Sequence, residues 1–251
     1  QHWVKHPCRL TETPALLDLS NTLTSYFSSY LAAALYEMQS LCRKSELQAY
    51  IIGGQVRDML LHKDHRFELV DVDLTVEANA IESAQRIVAN SRNFTVAECF
   101  PEFGTATLLY KDTLRFDMAS TRSEHYTHCG ALPTVDERGV PLWQDIRRRD
   151  FTTNTLAMSI HHLGQVLDYA GGLSDIDQRV IRILHPLSFY EDPSRILRAL
   201  KFAIRLDFEL DPLTEYTLHQ FLRYGNAVYP GGGDRIRSEM MELFSRPETK
   251  T

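Results

Sequence analysis

The stretch Ile51-Ile52-Gly53-Gly54-Gln55-Val56-Arg57-Asp58, followed by Asp71-Val72-Asp73, constrains this chain more than any other. A short apolar strand runs into a double glycine and then into a helix start. A second strand follows, carrying two alternate carboxylates. Glycine lets backbone approach a ligand where a side chain would collide. The helix behind it turns free N–H groups and the positive end of its dipole towards whatever binds there. Phosphate oxygens suit that position best, and the Arg57 guanidinium can add a charged fork. A Gly-Gly turn alone is usually only a tight turn; the carboxylates change the reading.

Residues two apart on a strand share a face, which puts Asp71 and Asp73 about 7 Å apart at their Cα atoms. Two such carboxylates repel unless they are solvated or share a cation. Val70, Val72, Leu74 and Val76 make the opposite face apolar, so the strand reads as half-buried with its polar face lining a cleft. Hard oxygen ligands suit Mg²⁺, which binds through one or two carboxylates plus substrate phosphates. Asp117, in Leu114-Arg115-Phe116-Asp117-Met118, is a candidate third carboxylate on a later strand. Metal-assisted phosphoryl transfer requires no Ser–His or Cys–His nucleophile, and the chain offers no convincing pair.

A third element is Glu191-Asp192-Pro193-Ser194-Arg195. Asp192 and Arg195 are three apart on an expected helix and share a face. A carboxylate acceptor beside a guanidinium donor matches the edge of cytosine or adenine, each offering an amino donor next to a ring-nitrogen acceptor. Guanine and uracil present the opposite order and would leave buried partners unpaired. The bland alternative is a helix salt bridge worth a few tenths of a kcal/mol.

The rest of the chain frames these motifs. Thr13-Pro14 reads as a helix start, and Leu16, Leu19, Leu23, Phe27, Leu31, Leu35, Met38 and Leu41 recur at helical spacing to about Lys44. Strands are expected at 50–52, 69–76, 94–97, 105–110, 113–119 and 166–168, with a turn at Lys111-Asp112. Helices are expected at 56–61, 78–89 and 150–160, and a long polar loop at 123–140. Beyond His185-Pro186 the pattern is helical over 192–205, 212–222 and 235–244, with Gly231-Gly232-Gly233 between the last two.

Net charge is −6, which argues against a chain built wholly as a nucleic-acid sleeve but leaves room for a local basic groove. Arg147-Arg148-Arg149 and Arg195, Arg198, Lys201 and Arg205 are such local features. No run of about 18 apolar residues exists, so no membrane span is expected. Cys8, Cys42, Cys99 and Cys129 lack CxxC spacing, and a reduced, cytoplasmic setting follows. His125, His128 and Cys129 lack a fourth zinc ligand at sensible spacing. Opening at Gln1, the chain reads as a processed or excised piece.

From about Ala49 to Phe244 the chain resembles the class II tRNA nucleotidyltransferases and bacterial poly(A) polymerases. The resemblance rests on Gly53-Gly54-Gln55-Val56-Arg57-Asp58, Asp71-Val72-Asp73, Arg148-Arg149-Asp150-Phe151-Thr152-Thr153-Asn154 and Glu191-Asp192-Pro193-Ser194-Arg195, in that order. It implies an α+β fold: a DNA polymerase β-like head, with a mixed sheet and flanking helices, then an all-helical neck. The expected divisions are a helical extension at 1–45, the head at 46–185 and the neck at 186–251, with no body or tail. The resemblance also implies that Asp71 and Asp73 hold catalytic Mg²⁺, that Gly54, Arg57 and Arg149 contact triphosphate or sugar, and that Asp192 and Arg195 read the base of CTP or ATP. Arg198 would support the nucleotide, and the matching motifs add Gly53, Asp58, Asp150 and Asn154 to nucleotide binding. Lys201 stands where arginine is usual, keeping the charge but losing the fork. The implied partner is the tRNA 3′ end.

Within that family, the segment from Leu109 to Arg115 lacks the basic Gly-Arg-Arg/Lys run of enterobacterial poly(A) polymerases. The segments Gly130-Ala131-Leu132-Pro133-Thr134-Val135 and Ile183-Leu184-His185 resemble the branch that divides CC-adding from A-adding. CC-adding, A-adding and CCA-adding activity share the base-reading pair and stay open at this level. Family members usually continue into body and tail domains that hold the tRNA elbow. A fragment, or a different hold on tRNA, is therefore expected.

Overall fold

The structure is a computed structural model that describes residues 10–21, 23–61, 71–224 and 233–245. The residues before Asp71 in the expected strand, and the glycines at 231 and 232, lie outside them. The described chain begins with β1 (Ala15–Asp18), α1 (Leu23–Tyr26) and α2 (Ser29–Lys44), followed by β2 (Ala49–Ile52), α3 (Gly54–Leu61), β3 (Asp71–Val76) and α4 (Ala80–Ala89). Next come β4 (Phe94–Phe100), β5 (Thr105–Tyr110), β6 (Leu114–Ser120), β7 (Arg122–His125), β8 (Thr134–Arg138) and α5 (Leu142–Ile146). A 3₁₀ turn at Thr152–Asn154 leads to β9 (Ala157–Ser159), β10 (Gln165–Asp168), α6 (Gly172–Gln178) and β11 (Val180–Ile181). The C-terminal part holds α7 (Ser188–Glu191), α8 (Ser194–Leu206), β12 (Glu209–Leu210), α9 (Pro212–Tyr224) and α10 (Gly233–Ser245).

Eight strands form one sheet in the order β1-β10-β9-β2-β3-β6-β5-β4. β3 and β6 are parallel, joined by a crossover that includes α4, and the remaining pairs are antiparallel. This is the α+β arrangement of a mixed sheet with flanking helices. Alternation along β3 and β6 sends Val72, Leu74, Phe116 and Met118 into the core against Ala80, Ala84 and Ile87 of α4 and Met38 of α2. The same alternation leaves Asp71, Asp73, Arg115 and Asp117 on the other face. The turn between β5 and β6 has Lys111 and Asp112 at φ 48° and 58°, as a tight hairpin of this twist requires. A second core around Phe151, Ile183, Phe189, Phe202 and Phe221 unites the C-terminal helices.

Three expectations are corrected. The helix expected from Thr13-Pro14 begins instead with a strand: Ala15–Asp18 pairs with β10, and the long helix starts only after Ser28, whose hydroxyl accepts from the Leu31 N–H. A free sheet edge offers four residues backbone partners that local propensity does not foresee. The helix expected at 150–160 is a 3₁₀ turn and then β9. Asp150 accepts from the Phe151 N–H and from Asn154, while Thr152 donates to Asp175 and Thr155 to the Thr152 carbonyl. These short polar side chains satisfy the backbone in a non-helical form. The loop expected at 123–140 contains the β7–β8 hairpin.

Asp168 accepts from the N–H groups of Ala170, Gly171, Gly172 and Leu173, which fixes the start of α6. There a Cβ on Gly172 would lie 2.4 Å from the Thr152 carbonyl oxygen. Gly172→Ala is therefore expected to cost about 1–3 kcal/mol by overpacking, read as a lower urea midpoint at unchanged m-value. No helix among the described residues is long and apolar enough to cross a membrane.

Candidate active site

A cleft of about 780 Å³ opens over the polar face of the sheet, between it and the helices α8 and α10. Its floor is set by strand register. Asp73 on β3 stands opposite Asp117 on β6, and Asp117 stands opposite Thr107 on β5. Gln55, in the first turn of α3, clamps the carboxylate strand: its Nε2 donates to the Asp71 carbonyl at 2.8 Å and its Oε1 accepts from the Asp73 N–H at 3.0 Å. Asp71 and Asp73 are both exposed, but only Asp73, with Asp117, lines the cleft.

Burial, then the neighbouring Asp117 and Asp71, push the Asp73 carboxyl above its ordinary value, with Arg149 and Arg115 opposing. Negative charge is in excess at that point, which a cation relieves. Asp117 is already engaged: Oδ1 accepts from Thr107 at 2.6 Å and Oδ2 from Arg115 at 2.7 Å. Among the described residues no group of three or more His, Cys, Asp or Glu side chains is arranged to hold a metal ion. The Asp73 and Asp117 oxygens are hard ligands that suit a divalent cation such as Mg²⁺, which takes one or two carboxylates and completes its shell with substrate oxygens.

One wall is the Gly53-Gly54 turn. Gly53 has φ 81°, a conformation that favours glycine, and a Cβ there would lie 3.6 Å from Arg149 Nη1. Asp145, wholly buried, holds that arginine through Oδ2 at 3.0 Å and Arg148 through Oδ1 at 2.8 Å, and also accepts from the Arg122 N–H. Burial alone would raise the Asp145 carboxyl, but Arg149 and Arg148 hold it below the usual carboxylate range. Asp150 is likewise held low against burial by Arg198, which grips it at 2.5 Å.

Arg57 is brought elsewhere than expected. It is 1% exposed and does not line the cleft. Its guanidinium pairs with Asp58 at 2.7 Å, donates to Asn154 at 2.5 Å and lies 4.8 Å from the centre of the Phe202 ring. Asp58 in turn pairs with Arg205 at 2.8 Å. This network ties α3 to α8, and it is Arg149 rather than Arg57 that lines the cleft beside Gly53. Asn154 and Asp150 line the cleft, though with oxygens taken by Arg57 and Arg198. Lys201 is also buried away from the cleft, bonded to Glu239 at 2.5 Å and Glu242 at 2.9 Å.

Asp192 and Arg195 both line the opposite wall. Asp192 accepts from Ser194 through Oδ1 and from Arg235 through Oδ2 at 2.7 Å. Arg195 donates to Ser188, the Arg148 carbonyl and the Tyr126 hydroxyl. Burial is the main reason the Tyr126 hydroxyl is pushed up to about 12, so it stays neutral beside that guanidinium. Sequence reasoning overlooked Gln55, Asp145, Tyr126, Arg235 and Glu239. Arg235 and Glu239, four apart on α10, offered the one local signal, since that spacing places them on one helix face. The others become visible only through their partners.

The poly A polymerase head-domain model matches residues 49–182. An A-adding tRNA nucleotidyltransferase of Aquifex aeolicus is 48% identical over 181 residues, which is 71% of this chain and 21% of that protein. A protein of the same name from Geobacter sulfurreducens is 37% identical over 218 residues, 86% of this chain and 24% of that protein. A solved tRNA nucleotidyltransferase complexed with a primer tRNA and an incoming ATP analogue superposes with TM-score 0.68 at 39% identity, covering 84% of this chain and 57% of that one. The chain thus spans a fifth to a quarter of the length of those two curated relatives.

Proposed function

The chain belongs to the family of the poly A polymerase head domain, and from that premise we propose that it transfers adenylate from ATP to the 3′ end of a tRNA ending in CC. The observation that carries this reading is the in-register pair Asp73 and Asp117, set beside a Gly53-Gly54 turn faced by Arg149. The names of the two similar relatives favour A over C as the nucleotide added. Residues 46–185 would serve as the catalytic head and 186–251 as the neck, with the base read across the two.

In this reaction the oxygen of the RNA 3′-hydroxyl attacks the α-phosphorus of ATP. The bond from that phosphorus to the bridging oxygen of pyrophosphate breaks, and the hydroxyl proton passes to solvent. Asp73, joined by Asp71 from the same face of β3 at the cleft's margin, would hold Mg²⁺, which supplies charge neutralisation for the attacking and leaving oxygens. The free N–H groups at the start of α3 and the Arg149 fork would grip the triphosphate. Thr107 and Arg115 keep the Asp117 carboxylate facing Asp73, which would direct it at the hydroxyl. Asp192 would accept from the adenine amino group and Arg195 would donate to its ring nitrogen, with Arg235, Ser194 and Ser188 fixing both side chains in place. Arg198, held by Asp150 and Glu239, would back the nucleotide from α8.

The test is incorporation of labelled ATP or CTP on transcripts ending at the discriminator base, at C and at CC. A single A on the CC end is the expected result. C added to the two shorter ends would make the chain a CC-adding enzyme, and a long A tail on all three a poly(A) polymerase. Asp192→Ala is expected to reduce the preference for ATP over GTP about tenfold to a hundredfold. That is the worth of a hydrogen bond to a charged group, measured as the ratio of kcat/KM values.

A further inference from the structure

The edge strand β4 changes face part-way along. Phe94 pairs with Tyr110 and Val96 with Leu108, whereas Glu98 pairs with Thr107 and Phe100 with Thr105; the register shifts between Val96 and Glu98. Tyr110 and Leu108 are core residues, while Thr107 belongs to the cleft floor. One extra residue at Ala97 thus reverses the side-chain parity of the strand. Without it Phe100 would fall on the same face as the buried Phe94. With it, Phe100 lines the same cleft as Asp73 and Asp117 and is 43% exposed there. Protection of a sheet edge accounts for a bulge, but not for an aromatic ring turned onto the carboxylate face, where a polar side chain would be solvated without cost.

The strand order β2-β3-β6-β5-β4 puts the Gly53-Gly54 turn and Phe100 on opposite sides of the carboxylates. Phe100 is in register with Ala119, two strands across and two residues along from Asp117, roughly 12 Å away at the usual strand spacing and rise. In-line displacement brings the attacking hydroxyl from the side opposite the leaving pyrophosphate. We propose that Phe100 is the stacking platform for the base of the acceptor's 3′-terminal nucleotide, and so positions the attacking hydroxyl. This rests on the transferase reading above. Every base has a π-face, so such a platform holds the end of the strand whatever its base.

The test pairs Phe100→Ala and Phe100→Trp with two RNA minihelices, one ending in CC and one whose last nucleotide is abasic. Phe100→Ala is expected to raise KM for the native acceptor about tenfold, the lower range for one lost base stack, with KM for ATP unchanged and Phe100→Trp restoring it. The abasic acceptor should incur the same loss with the unaltered chain and no further loss with Phe100→Ala. Penalties that multiply, or a KM for ATP that rises equally, would overturn the proposal while leaving the transferase reading intact. No incorporation by the unaltered chain on any acceptor would overturn both.

Discussion

Asp73→Asn is expected to lower nucleotide incorporation by at least about a thousandfold while the protein stays folded. Loss of a metal-holding carboxylate removes several kcal/mol of transition-state charge stabilisation, and each 1.36 kcal/mol is about tenfold in rate. Its effect on stability should have the opposite sign. Burial and the facing Asp117 and Asp71 already disfavour the ionised Asp73, so a neutral side chain of the same shape relieves repulsion. The variant's Tm without divalent cations should therefore rise rather than fall. Mg²⁺ should raise the Tm of the unaltered protein, because a ligand that binds only the folded state stabilises it, and should do so less in the variant. Full incorporation by Asp73→Asn would remove the proposed metal site. Lost incorporation together with a fall in Tm would mean that the residue serves the fold instead.

Asp145→Ala is expected to have the largest effect on stability. The carboxylate is 0% exposed and sits between Arg148 and Arg149. Removing one partner of a buried ion pair typically costs about 3–5 kcal/mol, because the remaining charge is left without its counter-charge. The Arg149 fork should also leave its place beside Gly53, so the KM for ATP should rise even where the variant is still folded. The pH dependence follows from the depressed carboxyl. Its contribution is fully present above the unfolded value near about 3.9 and is lost as pH falls through the lower folded value. The stability gap between variant and unaltered protein should be constant at neutral pH and shrink only below about pH 4. Chemical denaturation across that range measures it, and a gap that already closes near neutrality would refute the assignment.

Much of the site was legible because its residues act through local periodicity. Alternation in Asp71-Val72-Asp73-Leu74 identified both the buried face and the cleft face of β3. Asp117 was named as a candidate third carboxylate on a later strand, and the structure sets it in register with Asp73. The strand at Ala15–Asp18, the turn at Thr152–Asn154 and the β7–β8 hairpin were not legible. Each is decided by a partner distant in sequence, such as β10 for the first and Asp175 for the second. Leucines at helical spacing do not reveal that a sheet edge is waiting for them.

Arginine roles divide along the same line. Motif order marked Arg57, Arg149, Arg195 and Arg198 alike as nucleotide ligands. Only the tertiary structure separates them, by the carboxylates each one meets: Asp58 for Arg57, Asp145 for Arg149, Asp150 for Arg198. The sequence by itself determined which side chains share a face, where a double glycine opens a helix beside the carboxylate strand, and the order of motifs that reveals the family, since all three are properties of chain-neighbouring residues. Which charges stand free in the cleft and which are spent joining α3 to α8 or α8 to α10 was decided by the fold. Ion-pair choice depends on proximity in space, and partners such as Asp58 and Arg205 leave no trace in local spacing.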